Sequence, residues 1–217
     1  MPDPSHPASP ARRAPSGAAT LRPHKTEAIR AAVLDELAEQ GYARLSMEAV
    51  AKRAGVGKSA LYRRWASKQQ MVIDIASELS VAMVDLPDSG SLRGDVLAAL
   101  RAVADWLTHP RFSRIIPDLI AEARRDEALS RALADSIGEP RRARAVALLD
   151  RAIARGDLPP DTDRELALDL LAAPVYWRVA VRGVPPEPGY LECAADLVVH
   201  ALSARGARAR HDPEDTP

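Results

Sequence analysis

The stretch that decides the fold is Met47-Glu48-Ala49-Val50-Ala51-Lys52-Arg53-Ala54-Gly55-Val56-Gly57-Lys58-Ser59-Ala60-Leu61-Tyr62. Two short helices that cross steeply need a small residue where they touch, and Ala51 supplies it. The tight turn between them needs a residue tolerant of positive φ, and Gly55 adopts that conformation without strain. Val50, Val56 and Leu61 are spaced to pack beneath the pair. Lys58, Ser59, Tyr62 and Arg63 then stay on the outer face of the second helix, which is the one shaped to enter a major groove.

Charge is concentrated around this motif. Segment 41–70 holds seven basic residues (Arg44, Lys52, Arg53, Lys58, Arg63, Arg64, Lys68) against one acid, Glu48, whereas residues 71–217 hold 18 basic and 24 acidic. The whole chain balances at 30 Lys+Arg and 30 Asp+Glu, so it is not a uniformly basic nucleic-acid binder. A basic head on an acidic body is expected where one small unit meets phosphates and the larger one stays off them. A merely solvated charged face is the competing reading.

Outward from the motif, 217 residues with 47% hydrophobic side chains allow one or two domains with a real core. One cysteine, Cys193, rules out an internal disulfide and any thiol-pair zinc or redox centre, and suits a reducing cytoplasm. No apolar run is long enough for a membrane span, and the N-terminus lacks the apolar stretch of a secretory signal. Residues 1–23 carry six prolines and are expected to be disordered, as is the tail 205–217.

Between them, apolar residues recur at helical spacing from Ile29, Val33 and Leu37 onward, and period-two alternation is missing, so the chain is expected to be all-α. Breakers at Gly41, Gly55 to Gly57, Leu86 to Gly90, His109-Pro110, Gly138 to Pro140, Gly156 to Pro160 and Gly183 to Gly189 divide it into about nine helices. Ser67 with Gln70, and Thr162 with Glu165, fit reciprocal caps opening helices four and eight. The expected organisation is a three-helix head over 24–70 and a helical-bundle body over 71–204.

The run from Ile29 to Val72, with Gly41-Tyr42, Ser46, Val50-Ala51, Ala54-Gly55-Val56, Leu61-Tyr62, Trp65 and Ser67-Lys68, resembles the DNA-binding domain of TetR-type bacterial transcriptional regulators. Arg155 to Leu158 and Pro174 to Arg178 are similar to one branch of that family's C-terminal domain. Gly57 stands where the family more often has a capping Ser or Thr. Trp65 and Leu37 stand where Phe is frequent. The resemblance implies a homodimer that binds double-stranded operator DNA in the cytoplasm, on the nucleoid, and is released by a small-molecule effector. It assigns backbone-phosphate or sugar contacts to Ser46, Tyr62 and Lys68, and leaves Lys58, Ser59 and Arg63 to reach base edges. Ser46 can cap its helix and meet a phosphate at once.

In the body, helix eight (about 163–182) shows Leu166, Leu170, Ala173 and Trp177 on one stripe, and helix nine (about 189–204) shows Leu191, Ala194, Val198 and Ala201. By resemblance these two helices form a two-fold dimer seam. Trp106, Phe112, Ile116, Leu119, Ile120, Leu133, Tyr176 and Trp177 are the expected walls of an effector chamber among helices five to eight. They point to a largely apolar ligand, with Tyr176 as its polar contact. Plain core packing is the simpler account of each of these residues. Pro117 and Pro174 fall inside helical patterns and are expected to kink them. Arg141, Arg142, Arg144, Arg151 and Arg155 are expected on a solvated outer face.

Cys193 and His200 share a helix face and could pair across a two-fold axis, yet a lone cysteine is ordinarily a small hydrophobe, so no metal and no cofactor are expected. His6, His24, His109, His200 and His211 are scattered and form no catalytic set, which argues against an enzyme. A constitutive DNA-binding factor with no effector is the remaining alternative.

Overall fold

The computed structural model describes residues 23–82 and 86–204. The arm and tail expected to be disordered lie outside the described residues, apart from Pro23 itself.

Nine helical runs and no strand are present among the described residues, and the first is kinked at Gly41, where the sequence places a breaker. The head contains α1 (Pro23–Arg44), α2 (Met47–Arg53) and α3 (Lys58–Tyr62), and α4 (Lys68–Ala82) leads out of it. The body contains α5 (Leu92–Thr108) and α6 (Phe112–Ala123). Next comes α7, in which Glu127–Leu133, a π-helical turn at Ala134–Gly138 and Glu139–Arg155 run on as one rod. The last two are α8, formed by Arg164–Tyr176 with a π-helical end at Trp177–Val181, and α9 (Tyr190–Ser203).

Two helix ends fall elsewhere than the sequence suggests. Gly138 to Pro140 does not end a helix: Pro140 falls in the first turn of a regular segment, where its missing N–H is not needed, and the π turn before it absorbs the change of register. The break falls instead at 124–126, where Asp126 caps α7 by accepting the Leu129 N–H at 3.0 Å. Likewise Thr162 does not open α8. Its hydroxyl donates to the Pro159 carbonyl, and Asp163 is the cap, accepting from Leu166 N–H at 3.1 Å. Ser67 does cap α4, accepting the Gln70 N–H at 3.2 Å, while the Gln70 carboxamide reaches back one residue further, to Ala66 N–H.

One apolar core runs from the head into the body without a break. Ile29, Val33, Val50, Leu61 and Trp65 pack in the head, Met71, Val72 and Ile75 carry the core along α4, and Leu100, Ile115, Leu129, Leu148 and Leu149 fill the body. Each such side chain, fully buried, contributes about 1.5–3 kcal/mol of transfer free energy, so head and body share much of their stabilisation. In the body α5 is central, packing on α6, α8 and α9. Arg93 pairs with Asp196 at 2.6 Å and Arg101 with Glu192 at 2.8 Å, which ties α5 to α9 along the rim.

A buried polar knot holds the turn into α5. Asp95 is fully buried and accepts from Ser89 N–H at 2.8 Å, Ser89 Oγ at 2.7 Å and Arg155 Nη2 at 2.8 Å. Burial pushes its carboxyl up, but these donors outweigh burial and hold it below the ordinary carboxylate value. Arg155 also reaches Asp88 and Asp157, and Arg151 donates to the Leu86 carbonyl. The arginines of α7 are therefore not a solvated face, as the sequence suggested. Arg142 pairs with Glu165, and Arg141 lies over the Trp106 ring at 4.1 Å, its guanidinium pushed down to about 10 by burial and by Arg144.

Candidate nucleic-acid interface

The head forms as its local chemistry requires. Ser46 is extended (φ −131°, ψ 150°) and its hydroxyl oxygen accepts the Ala49 N–H at 3.1 Å, which starts α2. Gly55 takes φ 64° in the turn, and Ala51 is buried where α2 meets its neighbours. Gly57 precedes α3 with no side-chain cap, so the first N–H groups of α3 are left to other acceptors. Leu61 is completely buried beneath α3. Lys58, Ser59, Tyr62 (50% exposed) and Arg63 all stand outside. This is the face named from the sequence, assembled on one short helix.

The basic residues of the head divide by what they touch. Arg53 is drawn back onto α1 by Glu36 at 2.8 Å and by Glu39, which anchors α2 to the long helix. Lys58 donates to Glu48 at 2.9 Å across the mouth of α3, and that donation holds the Glu48 carboxyl below its ordinary value. Arg64 stacks on Trp65, with its guanidinium carbon 4.5 Å from the ring centre. Arg44, Lys52 and Arg63 are exposed. Trp65 is buried and its indole N–H donates to Asp74 of α4 at 2.8 Å, a bond that a Phe at this position could not make.

Lys68 is the site residue whose surroundings the sequence least suggested. Its ammonium donates to the carbonyls of Tyr42 at 2.9 Å and Ala43 at 3.2 Å, and lies 4.6 Å from the Tyr42 ring centre. It therefore holds the corner between α1 and α2 from below. The same corner is held from the body, because Asp118 Oδ2 of α6 accepts the Tyr42 N–H at 2.7 Å. Gly41 is needed at this point twice over. It takes φ 77°, and a Cβ there would come within 2.9 Å of Asp118 Oδ1. Arg111, at the start of α6, adds a pair with Asp35 of α1 at 2.8 Å. Asp118 was not singled out from sequence, since nothing local marks a carboxylate whose partner lies 76 residues away.

The two stripes expected at the dimer seam fare differently. On α8, Leu166 (49% exposed), Ala173, Tyr176 and Trp177 (61% exposed) face outward, with Leu170 partly covered. On α9 the sequence-chosen stripe divides, with Ala201 exposed and the other three turned toward the protomer. Ala194 and Val198 are buried inside the protomer (6% and 3% exposed) and Leu191 packs against the core, while Cys193, Leu197 (67% exposed), His200 and Ala201 face out. Apolar residues lie on both sides of α9, so periodicity does not choose between them, and packing against α5 covers Ala194 and Val198.

Of the expected chamber walls, Phe112, Ile116 and Leu119 are buried, and Leu133 packs against the core. Trp106 lies 6.2 Å from Phe112 between ring centres, and its indole N–H is buried with no acceptor among the described residues. Ile120, Tyr176 and Trp177 are instead at the surface of the protomer, so they do not close an interior wall. Among the described residues no three His, Cys, Asp or Glu side chains converge as metal ligands, and no helix is long and apolar enough to cross a membrane.

Comparison with known proteins agrees with this geometry. Residues 29–75 match the family described as bacterial regulatory proteins, tetR family, and residues 86–198 match the tetracyclin repressor-like C-terminal domain. The chain is 32% identical over 188 residues to the DNA-binding transcriptional repressor TetR of Mycobacteroides abscessus, covering 85% of this chain and 96% of that protein. It is 30% identical over 176 residues to the uncharacterized HTH-type transcriptional regulator YdeS of Bacillus subtilis, covering 81% and 87%. The crystal structure of the TetR family transcription regulator SCO0332 superimposes with a TM-score of 0.66 at 29% identity, covering 83% of this chain and all of that one.

Proposed function

The chain belongs to the TetR family of helix-turn-helix transcriptional regulators, and from that premise we propose that it is a cytoplasmic repressor, released from a palindromic operator by a small effector. Regulators of this family bind operator DNA and act as dimers rather than as enzymes. The observation that carries the DNA-reading half is the face of α3: Lys58, Ser59, Tyr62 and Arg63 exposed together, on a helix seated by the fully buried Leu61. Arg63 is the residue suited to guanine O6 and N7, and Ser46 and Tyr62 to the backbone. Lys68 contributes to this reading as the support of the α1–α2 corner as well as a phosphate contact. The repressor in Mycobacteroides abscessus, similar over most of the chain, supports the direction of control.

The effector reading rests on the body. Trp106, Phe112, Ile116 and Leu119 suit a largely apolar molecule, and the Trp106 N–H replaces Tyr176 as the group that would meet its one hydrogen-bond acceptor. Leu166, Leu170, Tyr176, Trp177 and Leu197 form the dimer seam in this reading. The test is selection of bound fragments from random DNA, followed by titration of the selected site. An inverted repeat with half-sites about one helical turn or slightly more apart is expected. Arg63→Ala should relax base preference while keeping most of the salt-dependent affinity. Selection of no repeat, or an Arg63→Ala protein as selective as the parent, overturns the assignment of this face.

A further inference from the structure

A second feature lies at the joint between head and body, away from the apolar residues around Trp106. An open cleft of about 360 Å³ lies between α4 and α7, with Ser67, Gln69, Gln70, Ile73, Asp74 and Ser77 on the α4 side and Ala132 and Ser136 on the other. Ser136 lies in the π-helical turn, a distortion that recurs at functional sites because it re-aims side chains without ending the helix. The volume is that of a small-molecule site, and the walls mix hydroxyls and carboxamides with apolar surface from Ile73 and Ala132.

The bonds already made inside the cleft show what remains to be offered. Ser67 Oγ accepts the Gln70 N–H and keeps its own proton to give. Gln70 spends its carbonyl oxygen on Ala66 N–H, which leaves the amide hydrogens. Asp74, which lines the cleft, accepts the Trp65 indole N–H through Oδ2 and keeps Oδ1 as a further acceptor, and no lining residue is basic. An anion would meet a carboxylate and no cation there. A cation would meet that carboxylate, and hydroxyls around it would find Ser67, Ser136 and the two glutamines, with Ser77, whose hydroxyl already donates to the Asp74 carbonyl, left only as an acceptor.

We propose that this cleft is a binding site for a small hydroxylated organic cation, and that its occupancy is transmitted to the DNA-reading helix through Asp74 and Trp65. The route is short. Trp65 is buried two residues beyond Arg63, the residue that closes α3, and α3 is the helix that carries the base-reading side chains. A cation bound at Oδ1 draws charge from the carboxylate that holds the Trp65 indole through Oδ2, weakens that bond, and so shifts the exit of that helix. The site shares no lining residue with the apolar group around Trp106, and it stands whether or not an effector binds there.

Trp65 supplies the assay. With Trp106→Phe and Trp177→Phe in the same protein it is the sole tryptophan, and the bond it reports on is at the cleft. Emission and melting temperature are followed against glucosamine, glucose and glucuronate, which vary the charge on one polyol. Glucosamine should give a saturable Trp65 response and raise the melting temperature, with glucose weaker and glucuronate inert. Asp74→Asn keeps an acceptor for the indole and removes the charge. It should lower glucosamine affinity about tenfold and leave glucose nearly unchanged. Ser136→Phe, which fills the cleft, should abolish both responses. Silence towards all three sugars, glucuronate binding as well as glucosamine, or a parental response in Ser136→Phe each overturns the proposal. None of these readouts requires operator DNA, so they stand apart from the test of repression.

Discussion

Replacing Leu197 with Glu tests the dimer seam where the structure and the sequence disagree. Leu197 is 67% exposed on the protomer, in the middle of the outward face of α9. Full burial of a leucine is worth about 1.5–3 kcal/mol, so the two-thirds still to be buried is worth roughly 1–2 kcal/mol per protomer. A two-fold axis counts this twice, giving roughly 2–4 kcal/mol, or roughly a 30- to 1000-fold rise in the dimer dissociation constant. A carboxylate that must be desolvated at the seam adds to that figure. Val198→Glu is the matched control: one residue along, 3% exposed, it puts the charge into the protomer's own core and should unfold α9 rather than dissociate two folded protomers. Sedimentation velocity over a dilution series, with far-ultraviolet circular dichroism on the same samples, separates the two outcomes. Leu197→Glu should give folded monomers that lose operator affinity. A Leu197→Glu protein that stays dimeric over the parental concentration range would place the seam elsewhere and refute the reading of this face.

Three further outcomes follow from contacts between elements. Removing Asp118 with Asp118→Ala leaves the part-buried Tyr42 N–H without its acceptor and should cost about 1–3 kcal/mol. Asp118→Asn, which retains an oxygen, should recover most of it, in both thermal unfolding and operator titration; equal losses in the two variants would count against the bond. Asp95→Ala breaks a buried, triply bonded carboxylate and should cost about 3–5 kcal/mol, read as a lower melting temperature. Because Asp95 is held below its ordinary value in the folded chain, its contribution is present above the unfolded-state value and is lost as pH falls through the folded one. The acid limb of stability against pH should therefore flatten in Asp95→Asn, and an unchanged limb would assign the acid sensitivity to other groups.

The helix-turn-helix was legible in the sequence because its requirements are local. Gly55 at positive φ, Ala51 at the crossing, and Val50 and Leu61 beneath lie within a dozen residues and admit few other arrangements. The number of helices agrees because an unforeseen break at 124–126 offsets the expected one at Gly138 to Pro140, whereas Ser46 and Ser67 mark their caps by residue type alone. What only the tertiary structure decided is what a helix does with a side chain that has two plausible neighbours. Periodicity gives α9 two apolar faces, and contact with α5 buries Ala194 and Val198 while leaving Leu197 out. Arginine spacing makes α7 look solvated, yet Arg155 closes on Asp95 across 60 residues and Arg141 lies on Trp106. Lys68 reads as a surface cation until α1 brings the Tyr42 and Ala43 carbonyls to it. The carboxylates at Asp118 and Asp74 acquire their roles in the same way, from an N–H delivered by another element. A sequence records the propensity and period of each helix, whereas the pairing of groups far apart along the chain is fixed only when the core closes around them.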